Sequence, residues 1–237
     1  MKNKIYWAPC VDQYDEVDWS ILYKDLTILH KSLAKKVDTS IIPGDNMIHC
    51  PAVRELTSKI AVIKSPMTCH YKLKDNNFIP TSKHHLATKK THADNFKNNY
   101  LFTTPLSYIF FSESDINMTL SAPYFSESKH LQYGSLVPGR FNISKWFRNI
   151  SIEFNLWTNV NEFKLKEDEP IAYVHFDSEE DIELVRFDFN EKLFKLMKSC
   201  ATSNNWEKYV PFNKRYKRFK ESMMHKLILK QIKENII

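Results

Sequence analysis

The stretch that decides the fold runs from Val137 to Phe176 and reads VPGRFNISKWFRNISIEFNLWTNVNEFKLKEDEPIAYVHF. It opens on a Pro138-Gly139 turn, and apolar and polar residues then alternate through most of its length. A period of two is typical of strands that bury one face and expose the other. The stretch therefore predicts the central strands of a β domain.

Further strands are predicted on both sides of this stretch. Short alternating runs recur at spacings of roughly ten residues with turn residues between them, which is typical of a sandwich or a small barrel. We therefore expect a mostly antiparallel β-sandwich or jelly-roll-like core over residues 40–190. The predicted strands are residues 5–10, 59–65, 69–73, 100–103, 108–112, 117–122, 141–147, 151–157, 162–166, 171–177 and 181–189.

Two helical regions are predicted to flank this core. Residues 18–35 carry apolar side chains at helical spacing and begin with Asp18, a residue suited to cap a helix N-terminus. Residues 213–237 are predicted to form one long helix. The apolar side of that helix consists of Tyr216, Phe219, Met223, Leu227 and Ile232.

The domain organisation follows from these elements. Residues 75–97 have little apolar content and are predicted to form a long exposed loop. The acidic run 167–169 is predicted to be a hairpin turn that faces water. We expect an α+β fold with a single domain over residues 1–190 and a C-terminal helical extension, with a basic tail, over residues 191–237.

The composition excludes several classes of function. The chain has only three glycines, whereas loops that cradle phosphates need several, so P-loop and Rossmann enzymes are excluded. Hydrophobic residues make up 43% of the chain, which indicates a folded globule. The sequence shows no signal-peptide pattern and no apolar run of about 18 residues. We therefore expect a soluble, intracellular protein whose four cysteines are free thiols.

The net charge of the chain is concentrated at its C-terminal end. The whole chain carries +6, and residues 213–237 contain eight Lys or Arg against two Glu, which also gives +6. Clustered cations attract nucleic-acid phosphates or an acidic protein surface. A solvated helix face whose apolar side packs on the β domain would explain the same pattern. The candidate contact residues are Lys214, Arg215, Lys217, Arg218 and Lys220.

A second set of residues suggests an iron site. His92 and Asp94 form an HxD pair, and His130 is followed ten residues later by Arg140. Oxygenases that depend on Fe(II) and 2-oxoglutarate bind iron through such a pair and a distal His, and a basic residue holds the cosubstrate. Only 35 residues separate Asp94 from His130, which is short for the double-stranded β-helix of that class. An oxygenase that depends on Fe(II) and 2-oxoglutarate is therefore the alternative prediction for the function. The leading prediction involves no cofactor.

Two arginines of the central stretch are candidates for ligand binding. Arg140 and Arg148 lie eight residues apart, so on one continuous strand they would share a face. Such a pair suits a phosphate or carboxylate ligand. Ion pairs with Glu153 or with the acidic run 167–169 would account equally well for the two residues.

Several motifs of the chain occur in a fixed order. The chain contains Cys50-Pro51-Ala52, Lys64-Ser65-Pro66, GRFNISKWFR at residues 139–148, Glu153-Phe154, EDEPIAY at residues 167–173 and Arg186-Phe187. Over residues 50–190 this pattern resembles a family of uncharacterised proteins encoded by marine tailed phages, including cyanophages. The resemblance implies a viral, intracellular protein and supplies no catalytic residues, because that family has no assigned activity.

These observations together predict a phage-encoded accessory or interaction protein. We expect it to bind a host or viral protein, or nucleic acid, through its basic C-terminal helix. No membrane association is expected, and no motif fixes a reaction.

Overall fold

The fold is α+β. The computed structural model describes residues 2–10, 22–37, 46–74, 77–81, 91–93, 100–206 and 210–237. The strands are β1 Asn3–Pro9, β2 Thr27–Ile28, β3 Ile60–Lys64, β4 Cys69–Lys74, β5 Asn77–Pro80, β6 Thr91–Ala93, β7 Tyr100–Ser112, β8 Asn117–Ser121, β9 Gly134–Leu136, β10 Gly139–Asn142, β11 Asn149–Leu156, β12 Glu162–Leu165, β13 Pro170–Phe176 and β14 Ile182–Arg186. The α-helices are α1 Leu29–Ala34, α2 Pro51–Thr57, α3 Glu191–Trp206, α4 Phe212–Glu221 and α5 Met224–Lys233, and short 3-10 helices span Met47–His49 and Lys129–Gln132.

The strands form three open sheets. The six-stranded sheet has the order β14-β1-β7-β11-β9, with β6 also paired to β7. The five-stranded sheet has the order β10-β8-β13-β3-β2, and the three-stranded sheet has the order β12-β4-β5. Within the described ranges every strand pairing is antiparallel except that of β1 with β14. The expectation of a mostly antiparallel α+β fold is therefore confirmed.

Strand β7 lies at the centre of the hydrophobic core because both of its faces are covered. The ring of Phe110 packs at 5.7 Å from that of Phe176 in β13, so one face of β7 contacts the five-stranded sheet. The next residue, Phe111, points to the opposite face and packs at 5.6 Å from Phe147. Helix α3 contacts the chain just after β1, where the Cys10 thiol lies 3.4 Å from the Met197 sulfur.

The central stretch forms strands largely where the alternation predicts them. Side chains of β11 alternate strictly between half-buried and buried, and β12 and β13 also lie at the predicted places. The alternation is a reliable signal here because each of these strands must place its apolar residues on one face.

The predicted strand 141–147 is wrong beyond Asn142. The Asn142 side-chain oxygen accepts hydrogen bonds from the Ser144 backbone N–H at 3.0 Å and from the Ser144 hydroxyl at 2.7 Å. An Asn side chain that bonds the backbone two residues on makes a turn. The chain therefore leaves the five-stranded sheet here, and Arg140 and Arg148 do not lie on one continuous strand.

The predicted break between residues 103 and 108 is also wrong. Residues 100–112 form the single strand β7, although Pro105 lies inside it. The pairing of β7 with β11 shifts register between Ser151 and Glu153, opposite this proline. Proline lacks a backbone N–H, and a register irregularity is one of the places in a strand where that loss is tolerated.

The predicted helix 18–35 is mostly not helical where the structure describes it. Asp18 lies outside the described residues, residues 23–26 are irregular, and α1 begins only at Leu29. Tertiary contacts explain the difference. The Tyr23 hydroxyl accepts a hydrogen bond from the Ser107 backbone N–H at 3.0 Å, and Thr27–Ile28 pairs with β3.

Two other predicted segments also differ from the structure. The C-terminal region is not one helix, because α4 and α5 are separated at Met223, whose φ of 57° is left-handed. The predicted loop 75–97 contains β5 and β6, which pair with β4 and β7, and several of its other residues lie outside the described ranges. None of the four cysteines forms a disulfide bond, as expected. In the described part of the chain, no helix has the length and apolar character that crossing a membrane requires.

Candidate nucleic-acid interface

Helix α4 is fixed to the β core through its inner side. Phe219 is buried and packs at 6.2 Å from the ring of Trp146. The Tyr216 hydroxyl accepts a hydrogen bond from the Asn142 backbone N–H at 2.9 Å, which joins the helix to the end of β10. Because these contacts fix the rotation of α4 about its axis, they also determine which residues face solvent.

The outward side of α4 is strongly basic. We call its exposed cations the basic face, which consists of Lys214, Lys217, Arg218 and Lys220. One acidic residue of the helix, Glu221, lies 3.8 Å from the Lys217 ammonium, and both side chains are more than half exposed. An exposed pair of this length contributes little, so the face stays positive.

Arg215 differs from the other four predicted contact residues. Its guanidinium lies over the Trp146 ring at 5.8 Å, and its Nε donates a hydrogen bond to the Val210 carbonyl at 2.9 Å. A guanidinium held over an aromatic ring packs as well as carries charge. Arg215 therefore helps to dock α4, whereas the other four residues face outward.

An aromatic pair lies at the beginning of α4, beside the basic face. Phe212 is 47% exposed, and its ring is stacked on that of Tyr216 with centroids 5.6 Å apart and an interplanar angle of 15°. Tyr216 itself is held by its hydrogen bond to the chain at Asn142. An exposed ring on a fixed support is the kind of surface on which nucleic-acid bases stack.

Arg140 and Arg148 lie on different elements and interact with different carboxylates. Arg140 extends from β10 and forms an ion pair with Asp177, with both side chains substantially exposed. Arg148 lies before β11, where burial lowers the pKa of its guanidinium, nearby Glu153 opposes that shift, and Arg215 adds to it. The structure therefore brings Arg148 close to Arg215 of α4.

His130 is buried in the short helix Lys129–Gln132. Its Nδ1 lies 3.2 Å from the Glu169 Oε1, which also accepts the His130 backbone N–H at 3.3 Å. The other Glu169 oxygen accepts the Lys166 backbone N–H at 3.0 Å. The predicted water-facing turn is therefore correct for Glu167 and Asp168 and wrong for Glu169, whose carboxylate joins two segments of the chain.

The charge state of His130 follows from its burial. Burial lowers the pKa of the imidazole, and the neighbouring Glu169 opposes this shift only in part. The ring is therefore neutral near pH 7, and Nδ1 carries the proton because an ionised carboxylate only accepts. The contact is a hydrogen bond to a carboxylate and not an ion pair between two charges.

The iron site stays a prediction. His92 belongs to β6, but Asp94 lies outside the described residues, so the complete set of three ligands is not described. Among the residues that the structure does describe, no three His, Cys, Asp or Glu side chains form a group that could hold a metal ion. Arg140, the predicted cosubstrate residue, forms the ion pair with Asp177.

Acid is expected to destabilise the fold through His130. Its pKa in the folded protein is lower than the unfolded value of about 6.5, so the unfolded chain binds this proton first. The contribution of His130 to the free energy of unfolding is therefore complete above about pH 6.5 and is lost as the pH falls below it. Urea denaturation at several pH values, compared with His130→Gln, measures this contribution. An NMR midpoint for the folded imidazole above 6.5 would contradict it.

A cleft that the sequence did not predict lies beside the basic face. It has a volume of about 360 Å³ and is bounded by the end of β7, by Ser144 and Lys145 after β10, and by residues of α4 and α5. The cations in its wall are Lys145, Lys220 and Lys226. The sequence signals were present, since Lys145 lies in the GRFNISKWFR motif and Lys226 belongs to the basic tail. Only the folded chain brings them together.

Comparison of the chain with protein-family models, with curated proteins and with solved structures found no match.

Proposed function

We propose that this protein is a nucleic-acid-binding accessory protein that uses the basic face of α4. The observation that carries the proposal is the orientation of that helix. Its inner side is fixed by Phe219 and Tyr216, so four cations are presented together on the outer side. Phosphate contacts of this kind supply most of the affinity of sequence-independent nucleic-acid binding.

The aromatic pair favours single strands over duplexes. A base stacks on an exposed ring only when its own face is free, as it is in single-stranded nucleic acid. Phe212 is exposed, lies at the N-terminal end of the basic face and is supported by Tyr216. We therefore expect the strand backbone to follow the cations of α4 while one base stacks on Phe212.

The proposal includes a viral origin and a finer description of the fold. The resemblance at GRFNISKWFR and EDEPIAY supports a phage-encoded protein that acts in the host cytoplasm. We also propose that the six-stranded and five-stranded sheets are the two layers of a β-sandwich. The contact between Phe110 and Phe176 across these two sheets supports that description.

Neutralising the basic face is expected to weaken the binding of a single-stranded oligonucleotide and to reduce its salt dependence. For four phosphate contacts, the slope of log K against log salt is about −3. The triple variant Lys214→Ala, Lys217→Ala, Arg218→Ala should bring that slope to about −1, because each lost contact removes roughly 0.7. Alanine keeps the helix propensity. Fluorescence anisotropy over a range of salt concentrations measures the slope.

Two single variants are compared with the wild type in the same titration. Lys72→Ala removes an exposed lysine of β4 in the three-stranded sheet and should leave binding unchanged. Phe212→Ala should weaken single-strand binding by about 1–3 kcal/mol while affecting duplex binding much less. The absence of oligonucleotide binding by the wild-type protein at low salt would exclude the proposed function. Equal losses in the triple variant and in Lys72→Ala would exclude the basic face.

A further inference from the structure

We infer that the cleft beside the basic face binds one nucleotide unit through its phosphate. This inference rests on the proposed function, because it assigns a specific site to one phosphate of the bound strand. Lys220 belongs to the basic face and also lines the cleft, so the two surfaces are continuous. A strand that follows α4 therefore reaches the cleft with a neighbouring phosphate or with its end.

The charges around the cleft leave an excess of cations. Of its three lysines, Lys145 pairs with Asp115 at 2.5 Å, whereas Lys220 and Lys226 form no ion pair with any residue that the structure describes. Asp115 is also hydrogen-bonded by the Asn142 side chain. The hydrogen bond from Lys145 is the main cause that lowers the pKa of Asp115, so this carboxylate stays ionised and occupied.

The one carboxylate in the wall of the cleft is also already occupied. Glu113 lies 2.8 Å from the Lys233 ammonium and accepts a hydrogen bond from the Tyr6 hydroxyl at 3.0 Å. The hydrogen bond from Lys233 is the largest cause that lowers the pKa of Glu113. The repulsion that Glu113 would exert on an anion is therefore largely compensated. Lys226 forms no ion pair among the described residues, and Lys220 acts on Asp115 only through its charge, without an ion pair.

The floor and the size of the cleft fit the remainder of a nucleotide. Phe111 and Phe219 contribute buried apolar carbon, and Leu229 of α5 is partly buried against the same core. A sugar or base can lie against such a wall while its phosphate meets the lysines. The volume of about 360 Å³ is at the small end of the range of small-molecule sites, about 300–1,000 Å³, so one nucleotide fits and a duplex does not.

The test uses a mononucleotide and two matched lysines of α5. Deoxyadenosine monophosphate and deoxyadenosine are titrated by calorimetry into the wild-type protein and into Lys226→Glu and Lys230→Glu. Lys226 lines the cleft, whereas Lys230 lies one turn further along α5 and pairs with Glu234 at 3.9 Å. We expect the wild type and Lys230→Glu to bind the monophosphate alike, and Lys226→Glu to bind it at least tenfold more weakly. Deoxyadenosine should not bind measurably.

The outcomes separate this inference from the proposed function. If the wild type binds the oligonucleotide but not the monophosphate, or if Lys226→Glu binds the monophosphate as well as Lys230→Glu does, the cleft assignment is wrong and the basic face is unaffected. If the oligonucleotide does not bind either, the proposed function fails. Equal thermal unfolding midpoints of the two variants show that both remain folded. Binding of deoxyadenosine as tight as that of the monophosphate would overturn recognition through phosphate.

Discussion

Replacement of Phe102 by alanine is expected to lower the free energy of unfolding by about 3–5 kcal/mol, as for other large-to-small changes at buried aromatic positions. Phe102 lies in β7 and has no exposed surface. Its ring packs at 5.0 Å from Tyr71, 5.5 Å from Phe78 and 4.5 Å from Phe163, which belong to the three strands β4, β5 and β12. One side chain of the six-stranded sheet thus contacts all three strands of the three-stranded sheet.

Chemical denaturation of the wild type and of Phe102→Ala measures this effect. Trp157→Ala is the matched control, since Trp157 is large and aromatic but 47% exposed. It should change the free energy of unfolding by no more than about 0.5 kcal/mol. A loss of less than about 1 kcal/mol for Phe102→Ala would mean that the three-stranded sheet is held by other contacts or that the cavity collapses.

Gly134→Ala is expected to lower the free energy of unfolding by about 3 kcal/mol, which is the upper end of the range for overpacking substitutions. Gly134 pairs with Leu156 at the junction of β9 and β11. A Cβ at Gly134 would lie 2.4 Å from the Asn155 carbonyl oxygen and 2.8 Å from the Leu156 Cα. Both neighbours are backbone atoms, so no side chain can rotate away, and β9 must separate from β11.

Gly139→Ala provides the control for this substitution. Gly139 also lies in a strand, but a Cβ there would meet no atom within 4 Å. The stability of Gly139→Ala should therefore lie within about 0.5 kcal/mol of the wild type. Thermal unfolding of the two variants distinguishes a steric effect at Gly134 from a general effect of removing glycine. Equal stability of the two variants would show that β9 can move without loss.

The alternation of the sequence predicts strands only where one face is buried. In β11 and β8 buried and half-buried positions alternate, and both strands are close to their predicted places. Strand β7 is buried on both faces and contains Pro105, so the sequence suggests two strands. The proline is accommodated by the register shift in the pairing of β7 with β11, a tertiary feature that is not visible in the local pattern.

The sequence also predicts part of the candidate site. The composition identifies the basic tail, and the apolar positions of α4 indicate which side packs on the core. The other contacts of the candidate site depend on the rest of the fold. Arg215 is held over Trp146, and Lys226 shares a cleft with Lys145, because residues distant in sequence meet in space. The stacking of Phe212 on Tyr216 likewise becomes visible only in the folded chain, although the i, i+4 spacing places the two rings on one side of a helix.

The position of β1 has a consequence for the order of events during synthesis. This strand lies inside the six-stranded sheet, between β7 and β14, and 175 residues separate Asn3 from Ser178, whose hydroxyl accepts its side-chain hydrogen bond. A ribosome that adds about 5–20 residues per second needs roughly 9–35 s to synthesise this length of chain. Until then the apolar strand β1 lacks its pairing partner β14. The six-stranded sheet therefore closes only after translation has passed β14.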